Sequence, residues 1–504
     1  MERAVERILK AISDKEKITI WGDYDCDGIP GSVILHDFFK KIGYTHFSNY
    51  IPHRYREGYG LNNGGIEQLA GEGVTLIITV DSGITDVEPV VRARELGVDV
   101  IVTDHHLPQE KLPEAYAILN SKQTDDTYPF NMLSGAGVAF KLVQALTARG
   151  NFNLPLGWEK WLLDVAGIST IADMVPLTGE NRALAHFGLK VLRRTQRPGL
   201  RALFAKARLN SYNITEDDVG FTIGPRINAA SRMDEPMRAF ELLSTKNVPE
   251  AESLAAHLES KNTERKKEVA KMVKEVDVLV AARGDAPVLV VGSPEWRPGV
   301  VGLAASRIVE RYGKTAFVWG GLGAPHLKGS CRSDGTVNIV RLMENAKSGT
   351  FLDFGGHAAA GGFSLEHAGA DLLEKKLLSA YKKTEKIVLG DTEKKTDATL
   401  SLDEVSEETY RTIEKLAPFG EGNPKPLFLF SGVTPREVSR FGAAKEHLKM
   451  IFDAPQGKVE VISFFWGSKK DPAADLSLEF TAHMELSSFG FRRPELRLRL
   501  VDII

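Results

Sequence analysis

Three apolar runs in the first quarter of the chain each lead directly into acidic or histidine residues. The runs are KITIWG at 17–22, TLIITV at 75–80 and VDVIVT at 98–103. Continuous β-branched runs that end in turn residues predict short parallel strands buried on both faces. The carboxyl ends of parallel strands meet along one edge of an open sheet, where ligands bind. We therefore expect a set of acidic and histidine side chains to converge at that edge: Asp23, Asp25, Asp27, Asp81, Asp104, His105 and His106.

So many ionisable groups in one place need a counter-charge, and hard divalent cations supply it most simply. A ligand set of carboxylates and imidazoles without sulfur favours Mn²⁺ or Mg²⁺ over zinc. Two such ions about 4 Å apart are the usual arrangement for phosphoester hydrolysis, in which one activates water and both stabilise charge on the phosphoryl oxygens. The cluster thus predicts a metal-dependent enzyme that uses two ions of Mn²⁺ or Mg²⁺.

Other interpretations of these acidic residues exist. Any one of the segments alone is equally consistent with turn formers or helix caps, and the coincidence of three segments favours a metal site. The segment 23–28 resembles the start of an EF-hand loop, but Ile34 stands where that loop needs Glu, and a strand precedes it. The sequence contains no HExxH and no GxSxG.

The whole chain sets further limits. A length of 504 residues predicts two to four domains. Two cysteines, Cys26 and Cys331, exclude a disulfide framework and a thiolate zinc site. The 64 basic and 67 acidic residues give no overall attraction for a polyanion, so its binding requires local basic patches. The charged start of the chain and the lack of an apolar run of roughly 18–20 residues predict a cytoplasmic protein without a membrane span. Nothing demands more than a monomer.

The order of elements predicts the architecture. Strands that alternate with helices predict a doubly wound α/β domain at the start. A charged stretch at 249–283 without internal Gly or Pro predicts a long helix between domains. A second α/β unit follows, and short alternating strands with Gly and Pro turns predict a small C-terminal β-barrel. The segment 220–232, GFTIGPRINAASR, is interpreted as a loop. The predicted division of the chain is 1–245, 246–284, 285–388 and 389–504.

Several motifs resemble a known family. DYDCDG at 23–28, VDSG at 80–83, DHH at 104–106 and ADMVPL at 172–177, in that order, resemble the four motifs of the DHH phosphoesterases. GGHAAAGG at 355–362 resembles the glycine-rich motif of their associated C-terminal domain. Within that superfamily the chain resembles the RecJ family of single-stranded-DNA exonucleases in these segments: HRYREGYGL, GPRINAASR, PEWRPGVVGLAASR, HLKGSCRS and, for its OB-type domain, LAPFGEGNPKPLF.

The resemblance implies roles for the acidic residues. The implied metal ligands are Asp25, Asp27, Asp81, His105 and Asp173. Asp104 and His106 are implied as catalytic residues beside them, as second-layer groups or proton donors, together with Asp23. For Asp173 the alternative is a residue that only ends a helix. The four parts of the chain become a DHH catalytic domain, a connecting helix, a DHH-associated domain and an OB-type domain.

The resemblance also implies a pocket that binds a 5′ end. Its candidate residues are Arg54, Arg226, Asn228, Ser330, Arg332 and His357. Guanidinium groups suit a terminal phosphate because they donate two parallel hydrogen bonds. The alternative for each arginine is a surface salt bridge, and for His357 it is a satisfied core residue.

The C-terminal domain is expected to hold single strands with a basic groove and aromatic stacking. The candidate contacts are Phe464, Phe465, Trp466, Lys445, Lys449, Arg492 and Arg493. Because side chains alternate along a strand, some of these aromatic residues must be core.

The implied activity is metal-dependent 5′→3′ hydrolysis of single-stranded DNA to mononucleotides in DNA repair and recombination. The implied partners are single-stranded DNA, single-strand-binding protein and a helicase. One alternative is a DHH phosphodiesterase of short oligonucleotides or cyclic dinucleotides, which needs no OB-type domain. A second is a non-catalytic DNA-binding scaffold, which we expect to have lost acidic ligands, whereas here none is missing.

Overall fold

The computed structural model describes residues 1–281, 286–346, 348–387, 396–442, 445–464, 466, 470–487 and 495–504. These residues form three separate sheets, each with its own apolar core. The predicted fold class is confirmed: two α/β domains are joined by a long helix, and a β domain of OB type follows them. Within these described ranges, no helix is both long and apolar enough to cross a bilayer.

The first sheet is parallel throughout, with strand order β2-β1-β3-β4-β5. Its strands are β1 (Lys17–Gly22), β2 (Phe47–Tyr50), β3 (Val74–Val80), β4 (Asp99–Thr103) and β5 (Ala117–Leu119). The three strands predicted from the apolar runs are therefore adjacent in the order β1, β3, β4. Gly22 pairs with Val80, so the ends of β1 and β3 lie side by side.

Helices cover both faces of this sheet. They are α1 (Glu2–Ser13), α2 (Gly28–Lys41), α3 (Asn63–Gly71), α4 (Val87–Glu95) and α5 (Gly135–Arg149). Leu76 and Ile78 of β3 pack with α2 and α5 on one face, whereas Ile77 packs with α3 and α4 on the other. This is the double covering that a continuous apolar strand requires.

A helical region follows, with a short π-helical turn at Val219–Ile223. Its helices are α6 (Leu163–Ala172), α7 (Gly179–Leu192), α8 (Pro198–Ala207), α9 (Glu216–Asp218), α10 (Gly224–Met233) and α11 (Met237–Ser244). The interpretation of 220–232 as a loop is wrong, because most of it forms α10. Pro225 lies in the first turn of that helix, where its missing N–H costs nothing. Ile227 and Ala230 then bury the helix in the first core.

The connecting helix α12 extends over Val248–Ala281. Near its start, Ala255 and Leu258 belong to the core of the first domain. Near its end, Met272 and Val276 belong to a core that it shares with the second sheet. One helix thus contributes apolar surface to both α/β domains.

The second sheet is mixed, with strand order β6-β7-β8-β10-β9. Its strands are β6 (Val288–Ser293), β7 (Thr315–Gly320), β8 (Leu327–Arg332), β9 (Asp353–Gly356) and β10 (Ala360–Leu365), and its helices are α13 (Pro298–Tyr312), α14 (Ile339–Glu344) and α15 (Ala370–Lys383). β6 and β7 are parallel, and the remaining neighbours are antiparallel.

The third sheet has seven strands in the order β11-β12-β16-β17-β15-β14-β13. Its elements are β11 (Ala398–Thr399), α16 (Glu407–Glu414), β12 (Phe428–Val433), β13 (Glu437–Phe441), β14 (His447–Ala454), β15 (Gly457–Ser463), β16 (Leu478–Ser487) and β17 (Glu495–Ile503). Phe430, Phe452 and Phe480 fill its core. Among the described residues the two edge strands, β11 and β13, are not hydrogen-bonded to each other, so the predicted barrel is not closed by strand pairing.

Candidate metal centre

The first acidic segment lies in the turn between β1 and α2. Asp25 Oδ1 accepts hydrogen bonds from the backbone N–H groups of Asp27 at 2.7 Å and Gly28 at 3.2 Å. Asp27 reaches the start of α5, where its carboxylate accepts from Gly135 N at 2.6 Å and Ala136 N at 2.7 Å. A helix N-terminus stabilises a carboxylate, so this contact fixes Asp27 in place.

Asp81 lies at the end of β3 in the left-handed region, with φ at 62°. Asp tolerates this conformation better than most residues, because its side chain is short and polar. Its backbone N–H donates to Thr103 O at 2.9 Å, and its carbonyl accepts from Tyr59 Oη at 2.9 Å. Gly135 is required beside it, since a Cβ there would lie 2.5 Å from Asp81 Cβ.

The segment after β4 contains Asp104, His105 and His106, and both histidines are hydrogen-bonded to Asp104. The Asp104 carboxylate accepts from Ile84 N at 2.9 Å, from His105 N at 2.7 Å and from His106 Nδ1 at 2.8 Å. Burial opposes ionisation of Asp104, but the hydrogen bond and charge of His106 outweigh it and lower the pKa of this carboxyl. Asp104 therefore orients the ring of His106 and holds the backbone of His105, and both of its oxygens accept hydrogen bonds.

Asp173 both ends a helix and joins the cluster. It is the C-terminal capping residue of α6, and its backbone N–H donates to Ser169 O at 2.8 Å. Its Oδ2 lies 3.7 Å from His105 Nε2, which in turn lies 3.4 Å from Asp27 Oδ2 and 3.1 Å from Asp81 Oδ1. The two interpretations of Asp173 offered by the sequence are thus compatible.

The ligand atoms fall into two groups of three that share no residue. One group consists of Asp27, His105 and Asp173, and the other of Asp23, Asp25 and Asp81; within each group the ligand atoms lie within 4.8 Å of one another. His106 lies within the same distance of Asp81 and His105. The arrangement has room for two ions, each with carboxylate oxygens.

The electrostatics of these groups suit a divalent cation. Burial, followed by the charges of neighbouring carboxylates, raises the pKa of Asp81 and of Asp23 well above the usual value. The same two causes raise the pKa of Asp173 to about 9. Asp23 Oδ1 is buried and accepts no hydrogen bond within the described residues. Asp81 Oδ1 is also buried without a hydrogen bond there, and its nearest nitrogen neighbour is His105 Nε2 at 3.1 Å. Buried carboxylate oxygens without hydrogen-bond donors suit Mn²⁺ or Mg²⁺.

A cavity of 230 Å³ opens over the cluster. Its lining combines acidic, aromatic and basic side chains, namely Asp23, Tyr24, Asp25, Arg54, Tyr59, Asp81, His106, Asp173, Asn228 and Arg232. Arg54 and Arg232 give the cavity a cationic side next to its acidic one, and the neutral Asn228 also lines it.

The two arginines of the cationic side have no carboxylate partner among the described residues. Arg54 stacks on Tyr24 with 4.8 Å between its Cζ and the ring centroid. Among the described residues, no carboxylate lies within 4.0 Å of the guanidinium of Arg54 or Arg232. Burial, followed by the positive charges of Arg54 and Arg265, lowers the pKa of Arg232 to about 9. An anion in the cavity would relieve this repulsion.

Arg226 lies outside this cavity. It forms a two-pronged ion pair with Glu259 of α12, with distances of 2.5 Å from Nε to Oε2 and 3.2 Å from Nη2 to Oε1. It also donates to Thr222 O at 2.8 Å. The alternative of a salt bridge therefore describes its contacts, and Arg232 of the same segment lies in the cavity instead.

The remaining predicted substrate residues lie in the second α/β domain. Ser330 and Arg332 are half-buried on β8 and face α13 at Gly302, where a Cβ would lie 3.2 Å from Ser330 Oγ and 3.6 Å from Arg332 Nη2. His357 is exposed in the β9–β10 hairpin, where its backbone N–H donates to Ala360 O at 2.8 Å. It is therefore not a core residue.

In the C-terminal domain, Phe464 is partly exposed beside Arg497 and Arg499, whose Cζ atoms lie 5.9 and 5.5 Å from its ring centroid. Trp466 is buried in the core, as strand alternation predicted for part of the aromatic set. Lys449 pairs with Glu460 at 3.2 Å, and Lys445 is exposed. Phe465, Arg492 and Arg493 lie outside the described residues.

Three residues that line the cavity are not among the predicted site residues: Tyr24, Tyr59 and Arg232. Arg232 is the last residue of GPRINAASR, in which Arg226 was chosen instead. Tyr59 belongs to HRYREGYGL, and its hydroxyl also lies 3.1 Å from His106 Nδ1. All three lie inside the quoted motifs, Tyr24 in DYDCDG, but the side of α10 that faces the cavity follows only from the fold.

Comparisons with known proteins find three family models along the chain. The family model for the N-terminal domain of the DHH family matches residues 17–168, the DHHA1 domain model matches 285–386, and the RecJ OB domain model matches 396–501. The chain is 37% identical to the single-stranded-DNA-specific exonuclease RecJ of Bacillus subtilis over 99% of its own length and 63% of that protein. It is 34% identical to the Haemophilus influenzae RecJ, over 100% of its own length and 90% of that protein.

Solved structures show the same similarity. RecJ from Thermus thermophilus in complex with Mn²⁺ superposes with a TM-score of 0.81 at 30% identity, covering 100% of this chain and 71% of that one. The Mg²⁺ complex of the same protein gives a TM-score of 0.75 at 28% identity, covering 99% of this chain and 69% of that one.

Proposed function

Because the chain belongs to the RecJ family of DHH phosphoesterases, we propose that it is a metal-dependent exonuclease that hydrolyses single-stranded DNA from the 5′ end to mononucleotides. The observation that carries the proposal is the cavity in which two acidic ligand groups adjoin the cationic Arg54 and Arg232. Metal-dependent hydrolysis of a phosphodiester requires divalent cations at the phosphoryl oxygens and positive side chains that bind the negative charge of the phosphate. The acidic ligand groups of this cavity would hold the cations, and the two arginines would bind the phosphate. The chain spans 63% of the length of the Bacillus subtilis relative. The activity and the substrate are therefore proposals for this chain and are not carried over from that protein.

In this mechanism the metal-holding residues are Asp25, Asp27, Asp81, His105 and Asp173, joined by Asp23. When bound, two divalent ions supply Lewis-acid activation of water and neutralise charge on the phosphoryl oxygens. Burial lowers the pKa of His105, which favours the neutral imidazole that a metal ligand requires.

His106 has a different task. Burial disfavours its charged form, but the hydrogen bond and charge of Asp104 outweigh burial and raise its pKa. With Nδ1 bonded to Asp104 at 2.8 Å, the other ring nitrogen is left for the cavity. We assign to His106 Nε2 the delivery of a proton to the departing 3′-oxygen.

The strand is held by the cationic side. Arg54, Asn228 and Arg232 line the cavity and would bind the phosphate next to the scissile one. Ser330 and Arg332 of β8, which lie next to α13, would bind a terminal 5′ phosphate. His357 is proposed as a further contact with the strand. Arg226 would contribute indirectly, because its ion pair with Glu259 occupies its guanidinium and holds α10 in position.

The test is digestion of an oligonucleotide labelled at either end, with Mn²⁺, by the wild type and by Asp81→Asn. Asn tolerates the left-handed backbone of residue 81, so the variant removes a charge without adding strain. We expect a labelled mononucleotide from the 5′ end at once, and at least about 100-fold less from the variant. The exposed Asp125→Asn is the matched control and should cleave normally.

Equal rates on single strands and blunt duplexes would contradict the proposed specificity. Cleavage of a dinucleotide without release from either end of the long strand would favour the short-substrate phosphodiesterase. Activity that persists in EDTA would exclude the metal mechanism.

The remaining assignments are also proposals. We divide the chain into a DHH catalytic domain (1–245), a connecting helix (246–284), a DHH-associated domain (285–388) and an OB-type domain (389–504). We propose that it acts in the cytoplasm as a monomer in DNA repair and recombination, beside single-strand-binding protein and a helicase. Pull-down of the purified protein with each partner tests the last assignment.

A further inference from the structure

The loop that carries Asp173 lies between two domains. This loop, residues 173–178, leaves α6 and enters α7, and we call it the Asp173 loop. On one side Asn181 of the first domain holds it, since Asn181 Nδ2 donates to Pro176 O at 3.0 Å and to Met132 O at 2.5 Å. On its other side lies a loop of the C-terminal domain, residues 416–423, which we call the 416–423 loop.

The two loops are joined through their backbones. Leu177 N donates to Glu421 O at 2.6 Å, and the Leu177 side chain is only 2% exposed. Arg182 of α7 adds a second link, because its Nη2 donates to Leu416 O at 2.6 Å. These links connect both ends of the 416–423 loop to the segment that follows Asp173.

Two glycines allow this close approach. Gly422 has φ at 70°, and a Cβ there would lie 3.2 Å from both Pro176 Cβ and Thr178 Cγ2. A Cβ at Gly420 would lie 2.8 Å from Leu177 Cδ1. Any larger residue at these positions must push the Asp173 loop away or strain its own backbone.

The 416–423 loop keeps its own shape. Asn423 Nδ2 donates to Leu416 O at 3.0 Å and to Pro418 O at 2.8 Å, and Gly420 N donates to Asn423 O at 3.0 Å. Beyond the loop, Lys425 forms an ion pair with Asp217 of the first domain. A loop that is internally bonded and docked on both sides can transmit its position to what it touches.

We propose that the 416–423 loop positions Asp173, so that the C-terminal domain supports the metal centre in addition to binding strands. The inference rests on the proposed function only in treating Asp173 as a metal ligand. Partners that orient a ligand commonly change metal affinity on the order of 10- to 100-fold. Removal of residues 390–504 would therefore weaken metal binding and slow cleavage even of a dinucleotide substrate. Point variants separate support of the metal centre from strand binding better than this deletion.

The test compares Mn²⁺ binding by the full chain without DNA, followed by the electron paramagnetic resonance signal of free Mn²⁺. Gly422→Val should weaken binding of at least one ion by about 10-fold or more. Arg182→Met, which loses the bond to Leu416 O and keeps an apolar stem, should change it in the same direction. At saturating Mn²⁺ the cleavage rate should recover, and the KM for an oligonucleotide should stay unchanged.

The matched control is Gly432→Val. Gly432 lies in the same domain with φ at 68°, and a Cβ there meets nothing within 4 Å, so the variant carries backbone strain without pressing on the Asp173 loop. Its Mn²⁺ binding should equal that of the wild type. Wild-type Mn²⁺ binding by folded Gly422→Val, or an equal loss in Gly432→Val, would overturn the inference.

Arg182→Met decides the question if Gly422→Val does not fold. In that case unchanged Mn²⁺ binding by Arg182→Met would overturn the inference. Failure of the proposed function would look different: the wild type would bind Mn²⁺ and release no nucleotide, while the order of Mn²⁺ affinities among the variants would still hold.

Discussion

Arg226 and Arg232 show how two residues of one motif acquire different tasks. Both lie on α10, and at 100° per residue they point about 120° apart. Arg226 faces α12 and pairs with Glu259, whereas Arg232 faces the cavity above the acidic cluster. The motif identifies both as basic residues, and only the packing of α10 separates an arginine in an ion pair from one that lines the cavity.

This contrast predicts opposite phenotypes. Arg232→Gln should raise the KM for single-stranded DNA about 10-fold, because it removes a cation that lacks a carboxylate partner. Its loss of stability should be the smaller of the two, since it gives up one hydrogen bond, from Nη1 to Gly299 O, and no ion pair. Arg226→Gln should lower the free energy of unfolding by about 2 kcal/mol, since it breaks a charged hydrogen-bond pair, with a smaller effect on KM. Steady-state kinetics and urea unfolding of both variants test this; the reverse pattern would show that our assignment is wrong.

At the scale of elements, the carboxyl edge of the first sheet holds the acidic cluster together at an electrostatic cost. β1, β3 and β4 are neighbours, so the residues that follow them must meet, and the start of α5 neutralises only Asp27. In the absence of metal the cluster relieves its repulsion by keeping protons, as the raised pKa of Asp173 indicates. Metal ions therefore compete with protons for this edge.

The cluster predicts a pH-dependent stabilisation by metal. Burial, followed by the charges of Asp27 and Asp25, raises the pKa of Asp173 from 3.8 to about 9. A carboxyl with a raised pKa in the folded state stabilises the fold fully below its unfolded pKa, and this contribution is lost as the pH rises through about 9. The Tm of the chelated protein should thus fall between pH 6 and pH 9.

Added Mn²⁺ should reverse this loss. We expect a larger rise in Tm at pH 9 than at pH 6, on the order of 5 °C for ions well above their Kd. Thermal unfolding followed by circular dichroism measures both series. In Asp173→Asn the fall of Tm with pH should be shallower, and an equal effect of Mn²⁺ at both pH values in the wild type would contradict the prediction.

At the scale of the whole molecule, the C-terminal domain has two faces with different consequences. Its 416–423 loop contacts the Asp173 loop, while Phe464 lies with Arg497 and Arg499 on the surface of the sheet. A partly exposed ring beside guanidinium groups is suited to stack on a base. Strand binding and support of the metal centre are therefore separable by position within one domain.

Phe464→Ala should lower affinity for long single strands about 10-fold, because one base-stacking contact contributes about 1–3 kcal/mol. Cleavage of a dinucleotide should be unaffected. Trp466→Ala is the informative comparison, since that ring is buried and its loss should lower stability by about 3–5 kcal/mol. Fluorescence anisotropy with a labelled 30-mer and with a dinucleotide distinguishes these effects, and equal loss for both ligands from Phe464→Ala would contradict the assignment.

The sequence by itself determined the strands and the place where their acidic ends meet. Strand ends are local: a β-branched run and the turn that follows it are written in consecutive residues, and the parallel arrangement brings Asp25, Asp81 and His105 to one edge. The same local patterns predicted the long helix and the β domain.

Tertiary structure decided the contacts between residues far apart in the chain. The orientation of Arg232 depends on how α10 packs, the commitment of the Asp104 carboxylate depends on Ile84 N, and the support of Asp173 depends on a loop more than two hundred residues away. The wrong prediction of a loop at 220–232 also reflects contacts between distant residues. Ile227 and Ala230 are buried by the first core and not by their neighbours in sequence. Periodicity describes one element at a time, whereas these contacts exist only once the elements have packed.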